Sequence, residues 1–120
     1  MINLDTHIVI AVLNGTLTTR ERTTLEADPV WGMASIVLWE LAMLIARKRI
    51  ALDVDERDLR EALSALFVFP ITFELARMSC EFDFNTDPAD RMIVATSIVH
   101  NVPLMTRDMN IRQSGLVRLA

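Results

Sequence analysis

Apolar residues recur along this chain both in short runs and in longer stretches at helical spacing, and the two kinds alternate. Ile2-Asn3-Leu4-Asp5 reads as a first strand, and Thr6 to Leu13 as a helix stopped by Asn14-Gly15. Thr18 to Ala27 is a polar amphipathic helix with the outline of a capping box at Thr18-Thr19-Arg20-Glu21, and Asp28-Pro29 breaks it. Val30 to Ala34 predicts a second strand, Ser35 a cap, and Ile36 to Arg49 a helix whose Leu38, Leu41, Met43, Leu44 and Ile45 form a wide apolar surface. Glu40 lies within that surface, where a charge requires a reason. Ile50-Ala51-Leu52 is a short extended piece. Asp55 to Leu66 carries Leu59, Ala62, Leu63 and Leu66 on one side and a solvated face of Glu56, Asp58 and Glu61 on the other. Val68 to Ile71 is a third strand whose Pro70 suits a sheet edge. Thr72 caps a helix from Phe73 to Cys80, and Glu81 to Thr86 is loop.

The pattern is clearest from Asp87 to Asp108. Asp87 is an N-cap, Pro88 occupies the first helical position where its missing N–H would be unpaired anyway, and Asn101 closes the helix. Ala89, Met92, Ile93, Thr96 and Val99 share a buried face, with Asp90 beside it in the first turn. Val102 to Met105 is long enough only for a strand, which leaves through Thr106-Arg107-Asp108. A helical turn through Arg112 then leads to Gly115, and Leu116 to Leu119 is a final strand. Strands alternating with helices predict an α/β domain with a mainly parallel sheet, and right-handed crossovers put helices on both faces.

Composition narrows the class. A chain of 120 residues, 52% hydrophobic and with only three Gly, fits one domain over residues 1 to 120 with an ample core. No apolar run reaches the ~18 residues that span a bilayer. The start, Met-Ile-Asn-Leu-Asp, lacks the basic and then apolar segments of a signal peptide, so a soluble cytoplasmic protein without a membrane partner is expected. The one cysteine, Cys80, reads as a small core residue. The seven Met residues also read as core. A net charge of −4 argues against a broad electrostatic grip on nucleic acid and for acid concentrated at a site. Lys48 is the only lysine, so eleven of the twelve basic residues are Arg, whose planar fork suits carboxylate or phosphate.

Four acids stand unlike surface acids: Asp5 after the first strand, Glu40 among apolar residues, Asp90 beside a buried face and Asp108 after the fourth strand. Ligands of open α/β sheets bind outside the carboxyl ends of strands, where strand order reverses. If the fourth strand returns beside the first, Asp5 and Asp108 become neighbours there, and Glu40 and Asp90 start their helices from the same edge. Carboxylates gathered out of bulk water repel one another unless a cation offsets them, and an all-oxygen set suits Mg²⁺ or Mn²⁺ rather than Zn²⁺. Such an ion polarises a phosphoryl oxygen and activates water, and a pair ~4 Å apart clamps attacking and leaving oxygens. Phosphodiester hydrolysis fits this chemistry. Thr6 and Thr106 could contact a metal-bound water or a phosphate, or serve only as cap and turn residues.

These residues resemble a known family. Leu4-Asp5-Thr6-His7, Ser35-Ile36-Val37-Leu38-Trp39-Glu40-Leu41-Ala42, Asp87-Pro88-Ala89-Asp90-Arg91-Met92-Ile93-Val94-Ala95-Thr96 and Leu104-Met105-Thr106-Arg107-Asp108 resemble, in order and separation, the PIN domain. The likeness is to VapC-type toxins of bacterial type II toxin–antitoxin modules in particular, and it runs from Ile2 to about Leu119. It implies a three-layer α/β/α fold with strand order 3-2-1-4-5, a Mg²⁺- or Mn²⁺-dependent endoribonuclease, a homodimer and a cognate antitoxin. Asp5, Asp90 and Asp108 would be metal ligands, directly or through water, and Glu40 a ligand or the group orienting the attacking water. Structured RNA such as transfer or ribosomal RNA would be the substrate, cut to leave a 5′ phosphate. The acid cluster could equally receive a basic side chain of the antitoxin.

Arg47, Lys48 and Arg49 after Glu40, and Arg91 and Arg107 beside the site acids, are the candidates for phosphate contacts. Arg91 is also spaced to pair with Asp87 on the helix surface. His7 reads as a base, a phosphate contact or a structural residue, and His100 as a complement to the helix C-terminus. Two other strand-end aspartate sites fit poorly. A phosphate-accepting receiver domain wants an Asp after the third strand, where Ile71-Thr72 stands, and a late Lys. A haloacid-dehalogenase-like phosphatase wants an Asp where His7 stands. A catalytically inactive PIN-like binding or regulatory module remains the alternative.

Overall fold

Four strands, β1 (Ile2–Leu4), β2 (Trp31–Ala34), β3 (Phe67–Phe69) and β4 (Leu104–Met105), pair in parallel in the order β3-β2-β1-β4. They belong to a computed structural model that describes residues 1–83 and 86–120. Of the loop expected from Glu81 to Thr86, Phe84 and Asn85 lie outside the described residues. The helices between are α1 (Thr6–Asn14), α2 (Thr19–Glu26), α3 (Ile36–Ala46), α4 (Glu56–Ser64), α5 (Phe73–Ser79), α6 (Pro88–His100) and α7 (Met109–Ser114). The α/β class, the parallel sheet and the return of β4 beside β1 are as the residue pattern predicts.

Caps set most boundaries. Thr18 and Glu21 form the full capping box of α2, and Thr72 caps α5 by accepting the Leu75 N–H. Asp87 accepts the Asp90 N–H at the start of α6, and Asn101, at φ 52°, closes it in the left-handed conformation. Ser35 differs from its expected role, since its side chain makes no cap bond to α3. That helix ends at Ala46 and not at Arg49: Lys48 turns left-handed at φ 54° and the Arg49 N–H bonds back to Leu44 O, closing the helix early.

Pro70 does mark an edge strand, but β3 runs from Phe67 to Phe69 because proline, lacking an N–H, ends the ladder before it. Gly32 in β2 makes room for this strand; a Cβ there would lie 2.7 Å from a Phe69 ring carbon. Ile50 to Leu52 forms no strand, and the expected fifth strand reduces to one parallel bridge, Leu104 to Leu119, because β4 has only two residues to pair with.

Leu4, Ile8, Met33, Val37, Ile93 and Leu104 are wholly buried and join the sheet to α1, α3 and α6. Asn3 is buried with them, its amide donating to Ser97 Oγ at 2.9 Å and Ile93 O at 3.3 Å. That fixes α6 against β1 and, one turn earlier, sets where Asp90 stands. Cys80 is exposed, contrary to its reading as core, because it lies at the C-cap of α5. Met33 and Met105 are core, whereas Met1 and Met109 are exposed. Among the described residues no helix is long and apolar enough to cross a membrane.

Candidate active site

Asp5 leaves β1 and caps α1, its Oδ1 accepting the Thr6 N–H at 2.7 Å. Its Oδ2 accepts the Thr106 hydroxyl at 2.5 Å, so the residue after β4 steers the residue after β1. Asp108 caps α7 by accepting the Ile111 N–H at 3.0 Å, and its own N–H donates to Thr106 Oγ1 at 3.0 Å. Glu40, in the second turn of α3, accepts the Thr6 hydroxyl at 2.5 Å. Asp90, in the first turn of α6, accepts the Thr86 hydroxyl at 2.6 Å. These four acids, with Asp87 and His7, surround a cavity of about 360 Å³ that Arg107 also borders. Three threonines therefore orient three of its carboxylates, and Thr106 also makes the turn bond expected of it by accepting the Asp108 N–H.

The cavity is electrostatically strained. Burial raises the pKa of Asp5 above the ordinary carboxylate range, against the hydrogen bonds from Thr106 and Thr6, and Asp108 adds to the rise. Glu40 is raised by burial first, with the Thr6 hydroxyl opposing, and Asp87 and Asp5 push it the same way. Asp90 is raised to about 6 by burial, against the Thr86 hydroxyl, with Asp87, Asp5 and Glu40 adding to it. Among the described residues none of these three acids forms an ion pair with a side-chain cation.

The donors suit a hard divalent ion. All are oxygens, and Glu40, Asp90 and Asp108 each keep one oxygen without a hydrogen bond from a described residue. They ring the cavity without converging: among the described residues no three His, Cys, Asp or Glu side chains form a ready ligand group. The charge and the donor chemistry thus fit such an ion.

The predicted phosphate contacts separate. Arg107 borders the cavity, but its Nε and Nη2 each donate to Glu21 at 2.8 Å, and Nη2 also reaches Thr16 O. Arg47 is exposed beyond the end of α3 and Arg91 does not line the cavity. Nor does Arg91 pair with Asp87; its Nε is buried without a partner among the described residues. Asp87 is the cap it was expected to be and also a wall of the site. Its position three residues before Asp90 was the available signal. His7 is exposed and close enough to oppose the rise of Asp5 and Glu40, and His100 stacks on Phe69 with ring centroids 4.5 Å apart.

Comparison with known proteins bears on this geometry. The family model described as PIN domain matches residues 2–115. A toxin–antitoxin complex from Klebsiella pneumoniae is similar at 25% identity and TM-score 0.75, over 98% of this chain and 95% of that one. VapBC2 from Rickettsia felis, bound to a DNA fragment from its promoter, has 18% identity and TM-score 0.73, with 100% and 98% coverage. VapC20 of Mycobacterium tuberculosis, a sarcin-ricin loop cleaving toxin, has 19% identity and TM-score 0.64, with 98% and 99% coverage. No curated protein matches the sequence.

Proposed function

This chain belongs to the PIN-domain family, and from that premise we propose that it is a Mg²⁺- or Mn²⁺-dependent endoribonuclease and the toxin of a toxin–antitoxin pair. Residues 1 to 120 are taken as one such domain, acting on RNA in the cytoplasm. The observation that carries this is the ring of carboxylates around one cavity, three of them raised in pKa and without a cationic partner among the described residues. Arrangements that raise several acids together are characteristic of functional sites.

Asp5, Asp90 and Asp108 would hold the ion, and Glu40 would join them or orient the attacking water. When bound, the ion supplies charge that polarises a phosphoryl oxygen and acidifies water. Thr106 links Asp5 to the Asp108 backbone, so one hydroxyl ties the two strand-end acids together. Glu40 keeps one oxygen without a hydrogen bond from a described residue, so it can accept a hydrogen bond from the attacking water and orient it.

A cognate antitoxin is supported by the likeness to the Klebsiella complex. Phe73 and Trp39, 79% and 57% exposed, leave apolar surface of the kind that the antitoxin or a second copy in a homodimer would cover.

Total RNA incubated with the antitoxin-free protein and Mg²⁺ or Mn²⁺ should give discrete fragments. These should disappear with EDTA and in Asp5→Asn, whose asparagine still caps α1. A folded protein that cleaves nothing with either metal would overturn the assignment.

A further inference from the structure

A second polar cleft, of about 300 Å³, adjoins the acid cavity at Arg107. The start of α2 forms one wall, with Thr18, Arg20 and Glu21, and the β4–α7 junction forms the other, with Arg107 and Arg112. Three arginines therefore line the cleft with one acidic side chain, Glu21, and the chain's last residue, Ala120, in a protein whose net charge is −4. Their donors are only partly used. Glu21 and Thr16 O occupy Nε and Nη2 of Arg107, leaving Nη1 without a partner among the described residues. Arg112 gives Nη1 to Thr106 O at 3.0 Å and keeps Nε and Nη2. Arg20 forms no side-chain bond with a described residue and is exposed.

We propose that this arginine cleft binds a backbone phosphate of the RNA strand next to the one held in the acid cavity. Arg107 borders both spaces, and Thr106 of the cleft is followed two residues on by Asp108 of the cavity, so the two sites sit side by side. The acid cavity repels a polyanion, and an adjoining cationic cleft supplies the attraction that a negatively charged nuclease otherwise lacks. Arg20 and Arg112 supply unspent planar donors for phosphate oxygens. The bidentate bond to Glu21 holds Arg107 as the partition between the two sites. The inference rests on the ribonuclease assignment and names residues that bind its substrate.

The test is binding of a fluorescent single-stranded RNA by the full chain in EDTA, where nothing is cut, measured across a range of salt. Arg20→Gln and Arg112→Gln should each weaken binding about 3- to 10-fold and lower the slope of log K against log salt by about 0.7 for each phosphate left unneutralised. Arg60→Gln, on α4 and outside the cleft, should bind as wild type does. Wild-type binding by both cleft variants overturns the proposal, as does equal weakening in Arg60→Gln or no RNA binding by the wild type. The ribonuclease assignment stands or falls separately, on cleavage with metal. A chain that cuts RNA while the cleft variants bind normally loses only the cleft, and one that binds through the cleft but never cuts loses only the nuclease.

Discussion

The two clefts that meet at Arg107 treat the same chemical group in opposite ways. In the acid cavity, carboxylates are buried beside one another and Asp90 is raised to about 6. In the arginine cleft, the Arg107 guanidinium, with the Thr18 N–H, holds Glu21 down at about 2. A carboxylate with a guanidinium in reach is stabilised by the fold. Carboxylates kept together without such a bond are held first against burial and then against their own repulsion, which folding alone does not require. The second arrangement is the one to associate with catalysis.

Replacing Asp90 tests this most severely. Asp90→Asn should lower metal-dependent RNA cleavage by ~10³-fold, the scale of several kcal/mol of lost charge stabilisation. In EDTA at pH 7.5 it should melt above wild type by a few degrees, about 1 kcal/mol once partial exposure is allowed for. The sign follows from the raised pKa. Wild-type Asp90 destabilises the fold while ionised, so the wild type gains stability as pH falls through about 6 toward the ordinary 3.8. The variant does not titrate, and the two melting temperatures should meet near pH 4. A variant that melts lower at pH 7.5 and cuts RNA normally would make Asp90 an ordinary structural acid.

Thr106→Val should have the next largest effect. It removes the hydroxyl that donates to Asp5 and accepts from the Asp108 N–H, leaving a buried carboxylate oxygen and a backbone donor short of partners. A loss of about 1–3 kcal/mol in stability is expected, with cleavage reduced by ~10-fold. Thr106→Ser keeps the hydroxyl and should restore cleavage, which a simple packing role for the side chain would not. Unchanged cleavage in the valine variant would show that Asp5 and Asp108 do not need their shared tether.

What was legible in the sequence follows the same division. Caps and breakers act over a few residues, so α2 and α6 could be read almost to their ends. The four acids stood out because each broke a local pattern, a charge in an apolar face or at a strand end. Contacts between distant segments left no such mark. Nothing around Arg107 points to Glu21, 86 residues earlier, and the spacing of Arg91 from Asp87 suggested a pair that does not form. Asn3 gave no sign that it ties β1 to α6, because a polar residue in a short strand can face either way. The end of α3 was misread because Lys48 adopts a left-handed turn that usually falls to Gly or Asn.

Glu21→Gln should give the smallest effect and the opposite pH dependence. Glutamine still fits the capping box of α2, so the substitution chiefly removes charge from a bond with Arg107. That bond is bidentate, but the Arg107 side chain is 43% exposed, so solvent limits its worth to about 0.5–1 kcal/mol. Because the folded pKa lies below the ordinary 4.5, the contribution is fully present above that pH and is lost as pH falls toward about 2. Thermal melts should therefore show Glu21→Gln below wild type at pH 7.5 and at pH 5 by the same margin, with the gap closing only in stronger acid. The gap produced by Asp90→Asn has the opposite sign at pH 7.5 and narrows as pH falls through about 6 toward 3.8. If both gaps close over the same range, the carboxylates of the two clefts are not held differently, and the physical ground for separating an active site from its supporting cleft is gone.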